Sequence, residues 1–124
     1  MKVVVIKILV IDDDDVMLRA VSRILHHNGY EVLSAANPRE ALELFKNRPP
    51  IHLVVSDNHM PEGQGTHLVR EILRLSPQTA CLMMTGGGIT PEDTPEGVTV
   101  LKKPFRTADL IDAVQAALAR SWRG

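Results

Sequence analysis

The feature that most limits how this chain can fold is a repeated pairing of two patterns. A short apolar run without polar alternation is followed by a segment whose apolar residues return every three or four positions. Val3 to Ile11 is apolar except for Lys7, and Ile51 to Ser56 and Thr79 to Met84 are largely so. A strand apolar along both of its faces is covered on both sides, whereas a half-wet strand alternates. Between these runs, Met17, Val21, Ile24 and Leu25 recur at helical spacing, as do Ala41, Leu42, Leu44 and Phe45. Leu68, Val69, Ile72 and Leu73 form a third such stripe, and Leu110, Ile111, Val114 and Leu118 a last one. Glu31 to Ala35 and Val98 to Leu101 complete five strands. Strands alternating with helices over short connections imply right-handed βαβ crossovers and a parallel sheet covered on both faces. The expected fold is therefore α/β, a doubly wound five-stranded parallel sheet of order 2-1-3-4-5, in one domain spanning residues 1–124.

Local signals mark the ends of these elements. Asn28-Gly29 closes the first helix, with Gly29 suited to a left-handed position after it. Asn37-Pro38-Arg39-Glu40 has the form of a capping box with proline at the first helical position, and Pro49-Pro50 stops that helix. Thr107 can cap the last helix. Between Thr85 and Lys103 the pattern fails: Gly86-Gly87-Gly88, Pro91, Pro95 and Gly97 crowd the place of a fourth helix. Proline costs about 3 kcal/mol inside a helix, so that helix is expected to be shortened or missing.

Composition removes several function classes. A formal net charge of −1 gives no electrostatic footprint for DNA or RNA, and four aromatic residues are too few for a stacking platform. No segment approaches the run of about 20 apolar residues that spans a bilayer. The N-terminal apolar stretch is broken by Lys7, meets four aspartates at once and has no small-residue cleavage site, so it does not read as a signal peptide. The lone Cys81 lies within an apolar run and reads as a buried core residue. A cytoplasmic domain that touches neither membrane nor nucleic acid is expected.

In doubly wound sheets, ligands sit beyond the carboxyl ends of the strands, near the switch in strand order. Strand one ends at Asp12-Asp13, strand three at Asp57, strand four at Thr85 and strand five at Lys103. Strands one and three are expected neighbours, so their carboxylates converge. Two such charges about 4 Å apart repel by about 4 kcal/mol at an effective dielectric of 20, so the cluster either holds protons or recruits a cation. All-oxygen ligands completed by water favour Mg²⁺. A metal, a carboxylate nucleophile, a hydroxyl and an ammonium together form a toolkit for phosphoryl transfer, with Asp57 as the nucleophile.

Ile8-Leu9-Val10-Ile11-Asp12-Asp13, Leu53-Val54-Val55-Ser56-Asp57 with Met60-Pro61, Met83-Met84-Thr85 and Lys103-Pro104-Phe105 resemble the receiver domains of two-component response regulators, of the chemotaxis-regulator, flavodoxin-like type. The resemblance runs along essentially the whole chain in motif order. It implies that Asp57 takes a phosphoryl group from a phosphohistidine on a sensor histidine kinase or histidine phosphotransfer protein, and that an output domain or protein reads the result. It further implies Mg²⁺ held by Asp13, Asp57 and the His59 backbone carbonyl, with Asp12 acting largely through water, while Thr85 and Lys103 hold the phosphoryl oxygens. Such a domain promotes its own phosphorylation and dephosphorylation without being an enzyme in the ordinary sense.

Three departures stand out. Val100 occupies a position where relatives usually carry an aromatic ring that reorients with the threonine. The segment between Thr85 and Lys103 is shorter than usual, so the output face of fourth helix and fifth strand is expected to be remodelled and mobile. The positions that tune hydrolysis in the family fall on His59 and Gly87, and Gly87 has no side chain to position a water. The first two motivate an alternative, a non-phosphorylated pseudo-receiver serving as an interaction module. A third reading, a haloacid-dehalogenase-type phosphatase with its nucleophile at Asp12 of Asp12-x-Asp14, lacks room for a substrate-selecting cap. Asp14 or Asp15 reads as a helix cap, Lys102 as a solvated lysine, and the five histidines show no zinc spacing.

Overall fold

The computed structural model describes residues 4–61, 64–87 and 94–123. Along the chain, β1 is Lys7–Ile11, α1 Asp15–His27, β2 Glu31–Ala35, α2 Pro38–Asn47, β3 Leu53–Asp57, α3 Gln64–Leu75, β4 Ala80–Thr85, β5 Thr99–Lys102 and α4 Thr107–Arg123. The strands form one parallel sheet in the order β2-β1-β3-β4-β5, as the alternation of patterns requires.

The unalternating strands are explained by two separate cores. Ile8 and Val10 of β1, Leu53 and Val55 of β3, and Leu82 and Met84 of β4 face α1 and α4, meeting Leu18, Val21, Leu25, Leu110 and Val114. Leu9, Ile11, Val54, Cys81 and Met83 point the other way and meet Ala41 of α2 and Leu68, Val69 and Ile72 of α3. Adjacent residues on a strand thus enter different cores, and each fully buried Leu, Ile, Val or Met contributes about 1.5–3 kcal/mol. Polar alternation along β1, β3 or β4 would forfeit one core or the other.

The caps largely follow the sequence. The Asp14 carboxylate accepts hydrogen bonds from the Val16 and Met17 amides and so starts α1, freeing Asp12 and Asp13 for other work. Asn37 Oδ1 accepts from the Glu40 amide at 2.9 Å, and Glu40 Oε2 accepts from the Ala36 amide at 2.9 Å, one residue before the expected box. Gly29 follows α1 at φ 90°.

Some boundaries differ from expectation. The strand expected from Val3 begins, among the described residues, only at Lys7; Val4 and Val5 are exposed, because the pairing with β2 and β3 begins at Lys7 and Ile8. Thr107 is the first residue of α4 rather than its cap; the Arg106 amide donates instead to Asp109 Oδ2 at 3.0 Å. Asp57 and Thr85 close β3 and β4 from within, not from the residue beyond. No helix lies between β4 and β5 among the described residues, and Thr94 to Val98 is non-helical. Gly63, Gly88, Ile89 and Pro91 lie outside the described residues. Among the described residues no helix is long and apolar enough to cross a membrane.

Candidate functional site

Strand register alone brings the acidic residues together. Ile11 pairs with Ser56 across β1 and β3, so the next residues, Asp12 and Asp57, emerge side by side at the carboxyl edge; parallel strands lie about 4.8 Å apart. Asp57 pairs with Met84, and Thr85 with Lys102, which sets the hydroxyl and then Lys103 along the same edge. Backbone bonds hold these ends beyond the regular ladder: the Asp12 amide donates to Ala35 O at 3.2 Å, the Asn58 amide to Met84 O at 2.8 Å and the Lys103 amide to Thr85 O at 2.6 Å.

The result is a recessed acidic pocket. Asp12 is 0% exposed, Asp57 3% and Thr85 3%, while Asp13 stands in solvent at its mouth. One carboxylate oxygen from each of Asp12, Asp13 and Asp57 lies within 4.8 Å of the others. Lys103 Nζ donates to Asp57 Oδ1 at 2.9 Å and stands 3.8 Å from Asp12 Oδ2. The Lys103 side chain is only 22% exposed, so this pairing is poorly screened by water.

A single ammonium does not satisfy three carboxylates. Asp12 Oδ1 accepts from the Asp14 amide at 2.9 Å, but Asp12 Oδ2 is buried without a hydrogen-bond partner. Burial pushes the Asp12 carboxyl above its ordinary value, and the Asp57 and Asp13 charges push the same way, against the Asp14 amide and Lys103. A buried carboxylate oxygen that accepts no hydrogen bond and faces two further carboxylates is a place where a divalent cation would be favourable. The donors are all oxygen and one side of the cluster is open, which suits Mg²⁺.

The Thr85 hydroxyl accepts from the Gly87 amide at 3.1 Å and lies 3.3 Å from the Gly87 carbonyl, to which it donates. His59 is exposed, and its ring flanks Gly86: a Cβ there would stand 3.3 Å from His59 Nε2. Lys102 is exposed, as its reading as a solvated lysine expects.

Two supporting residues, both within α3, carried no signal of their role in the sequence. A Cβ on Gly65 would collide with the Asp57 carbonyl oxygen and stand 2.9 Å from Asn58 Cα, so α3 starts against the end of β3 only because residue 65 is glycine. Thr66 Oγ1 then donates to Asn58 Oδ1 at 3.1 Å, tying the residue after Asp57 to that helix. A glycine near a proline reads as turn chemistry until the fold shows what approaches it.

Comparison with known proteins agrees with this geometry. Residues 8–115 match the family described as the response regulator receiver domain. The chain is 31% identical over 116 residues to the response regulator receiver protein CpdR of Brucella abortus, covering 90% of this chain and 96% of that protein. It is 33% identical over 118 residues to the transcriptional regulatory protein GlrR of Escherichia coli, covering 92% of this chain. It spans only 26% of GlrR, and 20% of a putative two-component response regulator of Arabidopsis thaliana to which it is 30% identical. Among solved structures, a CheY-like receiver domain protein from Methanospirillum hungatei superposes with a TM-score of 0.85 at 27% identity, covering 97% of this chain and 98% of that one. The receiver domain of the hybrid histidine kinase CckA gives 0.76 at 30% identity, covering 90% and 98%. With its doubly wound sheet and its acidic edge opposite a lysine, this chain belongs to the response regulator receiver domain family of two-component signalling.

Proposed function

We propose that the chain works as a phosphorylation-dependent switch, with Asp57 accepting a phosphoryl group from a phosphohistidine on a sensor kinase or phosphotransfer protein. The observation that carries this reading is the pairing of a buried Asp57 with Lys103 beside a buried Asp12 oxygen that accepts no hydrogen bond. An Asp57 carboxylate oxygen forms the new bond to phosphorus as the phosphorus–nitrogen bond breaks, and the departing imidazole keeps that electron pair.

The chain's own residues prepare each part of this step. Register holds the Asp57 carboxylate at the sheet edge, and burial strips it of water that would otherwise mask it. Lys103 offers its ammonium to the oxygens of the incoming group, and Thr85 offers a hydroxyl. Asp12, Asp13, Asp57 and the His59 backbone carbonyl would hold Mg²⁺, with Asp12 acting largely through water. When bound, that ion supplies positive charge that neutralises the phosphoryl oxygens. The aspartyl-phosphate is the product, not an intermediate on the way to another substrate, so we read the whole 1–124 chain as a cytoplasmic signalling domain rather than an ordinary enzyme. Its new charge shifts a two-state equilibrium that an output domain or protein reads.

The test is incubation with a small phosphodonor and Mg²⁺ followed by intact-mass measurement. One phosphate should add to the native chain, and none to Asp57→Ala. An unmodified native chain would favour a pseudo-receiver that binds partners without phosphorylation, and an undiminished adduct in Asp57→Ala would place the chemistry elsewhere.

A further inference from the structure

Of the groups that would surround Mg²⁺, the His59 carbonyl is the one that cannot search for it. A carboxylate turns about its side-chain bonds, whereas a backbone carbonyl goes only where the main chain puts it. Mg²⁺ tolerates little error, demanding near-ideal octahedral geometry at about 2.0–2.1 Å. Whatever fixes the peptide of residue 59 therefore sets part of the affinity.

Three contacts bracket that residue, which is itself exposed. Before it, the Asn58 amide donates to Met84 O at 2.8 Å and holds the chain against β4. After it, Met60 is buried among the residues of the core beneath α2 and α3. The third contact comes from the first turn of α3: Thr66 Oγ1 donates to Asn58 Oδ1 at 3.1 Å. The turn lies close enough for this because residue 65 is glycine; a Cβ there would stand 2.9 Å from Asn58 Cα. Asn58 and Thr66 are both half-buried. An apolar pair at these positions would hold the segments together without fixing orientation, whereas a hydrogen bond is directional.

We propose that Asn58 and Thr66 are positioning residues that aim the His59 carbonyl at the metal, so that the first turn of α3 tunes Mg²⁺ affinity from outside the ligand set. The inference rests on the reading of the His59 carbonyl as a Mg²⁺ ligand. Loss of an outer partner of this kind typically costs about 10–100-fold in metal affinity. The lower end is expected here, because the Met84 and Met60 anchors remain.

Calorimetric titration of the metal-free protein with magnesium chloride tests it. Thr66→Val should weaken binding about tenfold, Thr66→Ser should restore it, and Asn58→Ala should match Thr66→Val. The double variant should bind no more weakly than either single one, because both substitutions remove the same bond. Additive losses, or native affinity in Thr66→Val, would overturn the proposal. Independently of any metal, the His59 and Met60 amide resonances of the ¹⁵N-labelled protein should shift in Thr66→Val and return in Thr66→Ser. Unmoved resonances would overturn the tether even if no ion ever bound. Failure of the native chain to bind Mg²⁺ while these resonances move would overturn the metal reading, and the aiming with it, but not the tether.

Discussion

Replacing Lys103 by methionine isolates the electrostatics of the pocket. The ammonium lies 2.9 Å from Asp57 Oδ1 and 3.8 Å from Asp12 Oδ2. At an effective dielectric of 20, the two attractions amount to about 6 and about 4 kcal/mol before desolvation is subtracted. Removing one partner of a buried pair and stranding the other costs about 3–5 kcal/mol, and partial solvent access at Lys103 brings the expectation down to about 2–4 kcal/mol. Urea unfolding in metal-free buffer at neutral pH measures this directly. Most of the loss should vanish when the same substitution is made in Asp57→Asn, where no stranded charge remains at residue 57, and it should shrink at saturating Mg²⁺. A loss below about 0.5 kcal/mol, within the range of ordinary surface substitutions, would refute the reasoning. So would an equal loss in both backgrounds, because the energy would then come from packing of the lysine stem.

The same structure has consequences away from Lys103. Asp12 has a raised carboxyl pKa, so its contribution favours folding below the ordinary carboxylate value and is lost as pH rises through the raised one. Asp12→Asn should therefore raise the metal-free melting temperature at pH 7, with the gain closing toward acid; a gain independent of pH would contradict this. Gly65→Ala should destabilise the domain by about 1–3 kcal/mol, since overpacking here is against backbone, as thermal unfolding would register. Burial pushes the Cys81 thiol up to about 12, so alkylation at neutral pH should proceed only at the rate of opening, whereas prompt labelling of the native fold would show that the β4 core is not closed.

How much of the molecule was legible in the sequence depends on the range of the interaction. The strands and their order were readable because Leu9 and Val10, or Val54 and Val55, feed opposite cores and so leave an unbroken apolar run. The convergence of Asp12 and Asp57 came from that order, since strand ends that are neighbours must bring their next residues together. Thr107 misled because a capping residue and a first helical residue have the same composition, and only Asp109 reaching back to the Arg106 amide decides between them. The start of β1 misled because Val4 and Val5 are as apolar as the strand but have no paired neighbour. Gly65 and Thr66 were invisible for a further reason: their roles depend on α3 pressing against the end of β3, a contact between segments that no local pattern encodes. That Asp12 Oδ2 accepts no hydrogen bond likewise required coordinates, because the residue type does not reveal which oxygen the fold satisfies.

The most direct test of the whole account is where a phosphoryl group lands. After treatment with a phosphodonor and Mg²⁺, borohydride reduction converts an aspartyl-phosphate to homoserine, and peptide mass mapping locates it. The account predicts homoserine at position 57 alone, dependent on the metal. Homoserine at position 12 or 13 would contradict it.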